Sequence, residues 1–555
     1  MVRPETAPVL IVGAGPIGLT LAMDLTSRGI ESTVLELRHQ AEPPSVRSNH
    51  VSARSMEIFR RLGVATAVRA AGLPDDYPHD VAYRTTTTGI ELTRILIPSR
   101  LGRRRGDPGP DTAWPTAEPP HRINQIYLEP ILFTHAVAMP GVRLVNRIEV
   151  TGFSQTDDSV TVDARDLDTG AARQFAASWM IGCDGGRSIV RKGIGASLMG
   201  DAVVQRVQST YIRAPGLQGR LRHPPAWATF SLNPRRSGNV YAIDGRERWL
   251  IHNYLNDAEP DAESVDRDRA IRDILGVDDH FEYQIISKED WFGRRLVADR
   301  FRDRRVFLCG DAAHVWVPYA GYGMNAGIAD AADLAWLLAA HLRGWGGDHI
   351  LDAYAAERMP ITEQVSRFAM NHAHEMARQR SAVPADIEAE GPEGDLVRAA
   401  VGRRAYDLNV QQYSCAGLNF GYFYDRSPLI AYDGETAPDY QMGSFTASTV
   451  PGCRTPWIRL ADGGSLYDAM GPDYTLLRFD RAVDVTPLVE AARVPGVPIR
   501  VLDLDRPGEP SPYRHRLLLS RPDQHVAWRG DALPENVSGL VDRIRGALPP
   551  AGSTP

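Results

Sequence analysis

The glycines near the N-terminus have the spacing of a site that holds phosphate groups. Residues 13–18 read GAGPIG, a G-x-G-x-x-G pattern. In such a pattern Gly13 permits a tight turn, Gly15 lets a ligand approach the backbone, and Gly18 lets a helix pack closely on a strand. A pyrophosphate group would lie against the N–H groups at the start of that helix, where the helix dipole favours negative charge. The spacing therefore predicts a dinucleotide site.

The residues around these glycines supply the elements that position them. Residues 9–12 (VLIV) predict a buried parallel strand, and residues 19–27 predict a helix that ends at Arg28-Gly29. A second strand is expected over residues 32–35, and Glu36 follows it, placed to accept hydrogen bonds from ribose hydroxyls. Strand, helix, strand and acid in this order predict a Rossmann-type unit, but they do not distinguish FAD from NAD(P).

Composition and charge narrow the class of protein. A chain of 555 residues is too long for one core, so two to four domains are expected. A net charge of -7 argues against nucleic acid as a partner, and no apolar run is long enough to cross a membrane. The first residues do not form a secretory signal, so we expect a cytoplasmic protein. The four cysteines lie far apart and predict neither disulfides nor a metal site.

Two later motifs decide between the dinucleotides. Residues 183–191 read CDGGRSIVR, and residues 310–327 read GDAAHVWVPYAGYGMNAG. Together with the N-terminal glycines, these motifs resemble the FAD-dependent aromatic hydroxylases, single-component flavoprotein monooxygenases built on the p-hydroxybenzoate hydroxylase fold. The resemblance covers about residues 8 to 375. It implies that the N-terminal glycines hold the adenine end of FAD.

The resemblance also implies roles for individual residues. Asp311 would bond a ribityl hydroxyl, Asp184 would mainly hold structure, and Pro318 would lie near the face of the flavin where oxygen adds. A helix N-terminus beside the flavin would stabilise negative charge on the reduced ring. The cofactor-binding residues implied in this way are Gly13, Gly15, Pro16, Ile17, Gly18, Glu36, Arg38, Arg47, Arg54, Gln125, Asp184, Gly310, Asp311, Pro318, Gly321, Gly323, Met324 and Asn325.

The base that would activate a phenol is harder to place. In the phenol hydroxylase branch an aspartate precedes the helix that corresponds to residues 51–62, but this chain has Asn49 there, and an amide cannot be a base. The adjacent His50 is a candidate, with a structural hydrogen bond as its alternative role, and His314 is expected to support its loop. Candidate residues of the substrate pocket are Tyr211, Trp227, Phe230, Tyr241, His252, Trp316 and Tyr322.

The predicted fold is α/β and α+β, with a discontinuous Rossmann-type FAD-binding domain and an interleaved β-rich substrate domain. Residues 99–120, rich in Pro, Gly and Arg, predict a mobile surface loop whose Arg103–Arg105 cluster is solvated. The C-terminal residues resemble the thioredoxin-like domain of the phenol hydroxylase branch, but without C-x-x-C they cannot perform thiol redox chemistry. The expected domains are FAD-binding (1–80, 120–198 and 290–380), substrate-binding (81–119 and 199–289), a connection (381–440) and thioredoxin-like (441–555).

The favoured function is hydroxylation of a phenolic or polycyclic natural-product aromatic, through a flavin C4a-hydroperoxide, with NADPH or NADH and O2 as co-substrates. A small aromatic molecule would be the partner, and a homodimer is possible on this resemblance. Two alternatives stay open: a Baeyer–Villiger or epoxidising monooxygenase on the same scaffold, and an FAD/NAD(P)H oxidoreductase that does not oxygenate.

Overall fold

A computed structural model describes residues 4–40, 42–317, 321–508 and 510–549, with the side chains of residues 202–204 left out of the description. Pro318, which the resemblance places beside the flavin, lies outside the described residues. In the described part of the chain, no helix is both long and apolar enough to cross a bilayer.

Strands and helices alternate in the N-terminal half, as the sequence predicts. The strands are β1 (Glu5–Val12), β2 (Ser32–Leu35), β3 (Val81–Arg84), β4 (Glu91–Ile95), β5 (Val142–Val145), β6 (Ile148–Gln155), β7 (Val160–Asp166), β8 (Ala172–Gly182), β9 (Leu198–Arg213), β10 (Ala228–Ser231), β11 (Gly238–Ala242), β12 (Arg248–Tyr254), β13 (Gln284–Lys288), β14 (Trp291–Ala298), β15 (Arg302–Asp303), β16 (Val306–Leu308), β17 (His314–Val315), β18 (Tyr474–Arg478), β19 (Ile499–Asp503), β20 (Leu517–Ser520) and β21 (Val526–Gly530). The helices are α1 (Pro16–Ser27), α2 (Ala53–Arg61), α3 (Ala65–Ala70), α4 (Arg100–Arg105), α5 (Gln125–Val137), α6 (Ile189–Gly193), α7 (Arg267–Leu275), α8 (Tyr322–Leu342), α9 (Asp352–Ser381), α10 (Pro392–Tyr413), α11 (Ala416–Phe420), α12 (Leu466–Met470), α13 (Thr486–Arg493) and α14 (Val537–Ile544).

The first sheet has the strand order β15-β16-β8-β1-β2-β5, and β16, β8, β1, β2 and β5 run parallel. Its central strand β1 is apolar where it is buried, as expected for a parallel strand covered on both faces. Helix α1 packs against α5 and α8. This order places β8 between β1 and β16, so the carboxyl ends of three strands that are far apart in sequence meet at one edge.

The second sheet has the order β17-β14-β9-β12-β11-β10-β3-β4 and is antiparallel except for the β10–β3 pair. Its strands come from two stretches of the chain, around residues 81–95 and 198–315, where the sequence predicts most of the β-rich domain. The long strand β9 pairs with β12, β13 and β14 and holds the sheet together. The edge strand β17 belongs to the glycine-rich segment after β16, so this sheet borders that segment.

Two expectations for the connecting segments are wrong. Residues 100–105 form a helix, capped by Ser99, in what was expected to be a loop, and Arg103 donates to the buried carboxylate of Asp111 at 2.6 Å. Residues 392–413 form the long helix α10 where a Pro/Gly-punctuated connection was expected. Gly402 lets α10 lie directly on β4, since a Cβ atom there would meet the Leu92 carbonyl oxygen at 2.2 Å.

The C-terminal segment forms a small sheet of order β19-β18-β20-β21, in which β18 is parallel to β19 and antiparallel to β20. Its core is continuous with that of the first sheet, because Tyr474 packs edge-on against Trp336 of α8 and against Trp345. The segment is therefore fixed onto the dinucleotide-binding part. Its thioredoxin-like character stays a prediction.

Buried charges join the two parts. Arg521, between β20 and β21, donates to both carboxylate oxygens of Glu357 on α9 at 2.6 and 2.8 Å, and to Asp523 at 3.0 Å. Asp333 of α8 lies 3.5 Å from the same guanidinium. Three carboxylates that could surround a cation thus surround an arginine instead. Removing one member of such a buried set leaves the opposite charges unpaired and strongly destabilises the fold.

We expect Arg521→Met to lower the free energy of unfolding by about 3–5 kcal/mol, because Glu357 and Asp523 would stay buried without a cation. Arg478→Met is the matched control, since Arg478 pairs with Asp503 at 2.6 Å on the surface of the same sheet and should contribute only about 0–1 kcal/mol. Urea denaturation followed by tryptophan fluorescence measures both. Equal losses for the two variants would contradict the role of the Arg521 network.

Candidate active site

Three glycine-bearing turns meet at the edge of the first sheet, without room for side chains between them. A Cβ atom on Gly13 would lie 2.4 Å from the carbonyl oxygen of Cys183, and one on Gly18 would lie 2.0 Å from that of Gly13. A Cβ on Gly310 would meet the side chain of Ile17 at 3.0 Å. The three motifs found in sequence are therefore in direct contact.

Helices α1 and α8 both begin at this edge, and neither has a side-chain cap at its N-terminus. Their first N–H groups are left for a ligand, and each helix dipole adds partial positive charge there. Pro16 opens α1, and Gly15 before it faces open space, since an added Cβ would meet no atom within 4 Å. Gly323, in the first turn of α8, faces open space in the same way. The two helix starts thus form cradles for anionic groups.

A chain of hydrogen bonds fixes the acid after β2. Glu36 is buried and accepts from the backbone N–H of Ala14 at 2.6 Å and from Arg38 at 3.0 Å. Arg38 also pairs with Glu129 at 2.6 Å, and Gln125 donates to Glu129 at 3.0 Å. These bonds join Glu36, Arg38 and Gln125, which were predicted to contact the cofactor, and they hold the Glu36 carboxylate beside the glycine turn.

Asp311 is the polar group of the third motif and faces the open cleft. Its side chain is accessible to solvent from the cleft, and no described residue donates a hydrogen bond to its carboxylate. The protein that packs around it raises the pKa of the carboxyl, and the nearby His314 and Arg47 oppose that rise. A carboxylate without a protein donor in this position is ready to accept a hydrogen bond from a ligand hydroxyl.

Asp184 and Arg54 have other partners. Asp184 accepts from the N–H groups of Ile189 and Val190 at 2.7 and 3.2 Å and so caps α6, which agrees with the structural role expected for it. Burial raises the pKa of its carboxyl.

Arg54 donates to Glu57, Gln524 and Asp523 in the C-terminal interface, and it is not among the described residues that line the cavity below. These partners account for its guanidinium, and the cofactor contact that the resemblance implies for Arg54 stays a prediction.

The start of α8 is tied to the loop before α2. The side-chain amide of Asn325 donates to the carbonyl oxygens of His50 and Gly321, at 3.1 and 2.5 Å, and its oxygen accepts from Ser52 N–H at 2.8 Å. Asn325 therefore holds the first turn of α8 against residues 50–52. Its side chain acts through the backbone and is not itself free for a ligand, whereas Met324, beside it, lines the cavity.

One cavity of about 210 Å³ connects the glycine-rich edge with the second sheet. Asp311, Gly321, Gly323, Met324 and the half-exposed Arg47, which pairs with Glu289 at 3.2 Å, line one part of it. The other part is largely aromatic. The residues of that part are Trp227, Tyr241, His252, Trp291, Phe292, Trp316 and Tyr413, together with the polar side chains of Ser48, Asn49, His50, Arg122 and Gln412.

The structure brings four of the predicted pocket residues together: Trp227, Tyr241, His252 and Trp316. Three others do not line this cavity. Tyr211 packs in a separate cluster with Val46 and Leu250, Phe230 stacks on Tyr83 at 4.9 Å in the core, and Tyr322 donates to the Leu418 carbonyl. Strand alternation alone could not assign these faces, because it fixes which residues share a face but not which face meets the cavity.

Seven lining residues were missed from sequence: Ser48, Arg122, Trp291, Phe292, Val315, Gln412 and Tyr413. Arg122 lies just before Asn124, the N-cap of α5. A cation at a helix N-terminus is disfavoured by the helix dipole, so its presence there in the sequence could have indicated a functional role. Gln412 and Tyr413 lie at the end of α10. The helical spacing of Val397, Val401 and Ala405 was the signal for that helix.

His50 is poorly suited to act as a base. Its Nδ1 faces the Arg122 guanidinium, so Nδ1 must accept and the neutral ring carries its proton on Nε2. Burial, together with the charge of Arg122, holds the pKa of His50 well below its usual range. With no free lone pair, His50 can donate to a ligand but not take a proton from it. Asn49, its neighbour, also lines the cavity and accepts from Asn124.

His314 has the supporting role expected for it. Its Nε2 bonds to Asp330 at 2.7 Å, Asp330 in turn accepts from Arg358 at 2.8 Å, and all three side chains are buried. The ring of Trp316 stacks on His314 with the ring centres 4.6 Å apart. The buried ion pair thus holds the loop whose tryptophan lines the cavity.

The donor set fits FAD. It offers two uncapped helix starts for anionic groups, a buried acid beside the glycine turn and an unpartnered carboxylate farther along the cleft. The family model described as "FAD binding domain" matches residues 6–369. The chain belongs to this family.

Known proteins extend the match over the whole chain. The rebeccamycin biosynthetic enzyme RebC with reduced flavin superposes with a TM-score of 0.88 at 33% identity, covering 98% of this chain and 100% of RebC. Aklavinone-11 hydroxylase, in a complex with FAD and aklavinone, has a TM-score of 0.80 at 26% identity, covering 98% and 100% of the two chains. Phenol 2-monooxygenase from Pseudomonas sp. (strain EST1001) is 28% identical over 98% of this chain and 93% of its own. The chain is an FAD-dependent aromatic monooxygenase, and the predicted fold class is confirmed.

The two glycines of the first turn should respond differently to an added methyl group. Gly15→Ala should leave the fold intact but weaken FAD retention, because its Cβ would enter only the open space in front of α1. Gly18→Ala should destabilise the protein itself, because its Cβ would overlap the Gly13 carbonyl. Thermal unfolding of the apoproteins and flavin absorbance after gel filtration separate the two effects. An apoprotein of Gly15→Ala that unfolds as early as Gly18→Ala would contradict the open cradle.

Asp311→Ala should yield a protein that is largely colourless after purification, since FAD loses its hydrogen bond to the ribityl chain. Asp158→Ala, at a fully exposed position, is the control and should stay yellow. The ratio of flavin to protein absorbance measures the difference. A wild-type ratio in Asp311→Ala would refute the assignment of this carboxylate.

Proposed function

We propose that the chain hydroxylates an electron-rich aromatic compound, phenolic or polycyclic, with NADPH or NADH and O2 as co-substrates. The observation that carries the proposal is that one continuous cavity joins the glycine-rich edge to the aromatic residues. Asp311 and the start of α8 line one part, and the aromatic side chains of Trp227, Tyr241 and Trp316 line the other. A planar ring between those aromatic walls would lie next to a flavin held at the first part. The relatives named above, a phenol monooxygenase and an aklavinone hydroxylase, support this substrate class.

In this proposal the cofactor is held along the whole edge of the first sheet. The N–H groups of Ile17 and Gly18 would bind the pyrophosphate, and Glu36 would bind the adenosine ribose. Asp311 would bind the ribityl chain, and the N–H groups of Gly323 and Met324 would face the pyrimidine side of the ring. Arg47, at the edge of the cavity, has the charge to contact a phosphate.

When bound and reduced by NAD(P)H, the flavin supplies the activation of O2 that the reaction requires. The protein's own residues do the rest. The positive end of α8, fixed by Asn325, stabilises negative charge beside it, and the aromatic walls exclude water from the reacting ring. His50 Nε2–H and the Asn49 amide are polar groups that can orient a substrate oxygen. Since His50 is not a base, it can hold the phenol oxygen through a hydrogen bond but does not take its proton.

The oxygenation itself is tested with the purified holoenzyme, NADPH, ¹⁸O2 and a panel of phenols with one to four rings. A productive aromatic should accelerate NADPH oxidation by about tenfold or more and should give a product that carries one ¹⁸O on the ring. Label in a lactone or an epoxide instead would support the Baeyer–Villiger or epoxidising alternative. Hydrogen peroxide as the sole oxygen product across the whole panel would contradict the proposal.

A further inference from the structure

Arg122 is a buried cation inside the candidate substrate cavity. Only about 4% of the residue is exposed, and its guanidinium carbon lies 4.2 Å from the ring centre of Trp227 and 5.9 Å from that of Tyr413. Burial lowers the pKa of Arg122 to about 10, so it keeps its charge at neutral pH. The aromatic faces stabilise the charge in part, but they do not replace the water that a guanidinium loses on burial.

The hydrogen bonds of Arg122 leave most of its donors unused. Among the described residues it donates only to His50 Nδ1, through one Nη, and it has no carboxylate within ion-pair distance. Asp111, whose charge acts on Arg122, is paired with Arg103 at 2.6 Å. The guanidinium therefore has its Nε and second Nη without a described acceptor.

Most other buried arginines in the described part of the chain differ, although Arg191 also lacks a carboxylate and donates to the carbonyl oxygens of Ala312 and Gly186. Arg28, Arg358 and Arg521 each pair with a carboxylate, at 2.9, 2.8 and 2.6 Å. A buried charge without its counter-ion is costly. An arginine that is buried, charged and without a carboxylate partner is therefore a candidate for binding an anionic ligand. Arg358 also lies at a cavity but keeps its carboxylate partner, whereas Arg122 lines the candidate substrate cavity without one.

The other ionisable residues around the cavity do not neutralise the charge of Arg122. Asp311 is the sole carboxylate among the described lining residues, and it belongs to the part assigned to the ribityl chain. The two lining histidines do not add charge, because burial lowers the pKa of His252 to about 4 and holds that of His50 well below its usual value. Arg47 is already paired with Glu289. The aromatic part of the cavity therefore carries one positive charge that nothing in the described protein neutralises.

We infer that Arg122 binds a carboxylate group of the substrate, so that the preferred substrate is an aromatic acid with its ring against Trp227. This inference rests on the proposed function and names the substrate class of the same cavity. A carboxylate fits because the planar fork of a guanidinium can donate two parallel hydrogen bonds to its two oxygens. Stacking on Trp227 holds the guanidinium in one plane, and the His50 bond fixes its rotation.

The test compares two probes that differ only in charge, 3-hydroxy-2-naphthoate and 3-hydroxy-2-naphthamide. Equilibrium binding to the holoenzyme is followed through the flavin absorbance, without NADPH. The wild-type protein should bind the acid at least about tenfold more tightly than the amide, as expected for charge-assisted hydrogen bonds in a buried site. Arg122→Gln should weaken binding of the acid by about tenfold or more and leave that of the amide within about twofold, whereas Arg122→Lys should keep part of the preference.

A control separates this role from a purely structural one. Arg248→Gln removes a charge from β12 of the second sheet, at a half-exposed position outside the cavity lining, and should leave the preference unchanged. Because Arg122 has no counter-ion, Arg122→Gln should unfold at the wild-type temperature or above it. An acid that the wild type binds no more tightly than the amide would overturn the inference, as would equal losses for both probes in Arg122→Gln.

The outcome is independent of oxygenation. A preference for the acid that depends on Arg122, in a protein that oxygenates no aromatic compound, would contradict the proposed function and leave the anion site standing. Oxygenation of neutral phenols without any preference for acids would support the proposed function and contradict the anion site at Arg122.

Discussion

The close contact between three backbone turns is the constraint on which the site depends. Gly13 touches the Cys183 carbonyl, Gly18 touches the Gly13 carbonyl, and Gly310 touches Ile17, with no space for a Cβ atom at the two N-terminal glycines. The parallel order β16-β8-β1 makes this contact possible, because the carboxyl ends of these strands meet at one edge. Helices α1 and α8 begin there with free N–H groups. Everything that the site offers to a dinucleotide follows from that packing.

The same packing also sets the distribution of charge around the cavity. The edge of the first sheet presents two helix N-termini and the carboxylate of Asp311, whereas the wall of the second sheet presents Trp227 with the Arg122 guanidinium upon it. Asn325 joins these halves, since it fixes the start of α8 to the backbone of His50 and Ser52. The cavity is therefore bounded by partial positive charge on the flavin side and by a full positive charge among aromatic rings on the other.

The C-terminal segment contributes through packing and buried charge and not through thiols. Cys453 is buried and has no partner cysteine, and burial raises the pKa of its thiol to about 11, which disfavours the thiolate needed for redox exchange. Arg521 instead links the segment to Glu357 of α9. The segment also binds Arg54, a residue of α2 for which the resemblance implies a cofactor contact. Contacts of this kind between distant parts of a chain leave no local signature.

From the sequence by itself, the dinucleotide-binding unit and its acid Glu36 could be determined, because glycine spacing and the order of strand and helix are local properties of the chain. The choice of FAD came from the resemblance carried by residues 183–191 and 310–327. The bounds of β2 agree with the predicted ones. Tertiary structure alone decided which aromatic residues face the cavity, since a period of two residues does not say which face is buried against what. It also decided that Arg122 enters the cavity without a carboxylate and that His50 has lost the lone pair of a base. Those outcomes depend on side chains that meet across about 70 to 290 residues of sequence, and no local pattern encodes such a meeting.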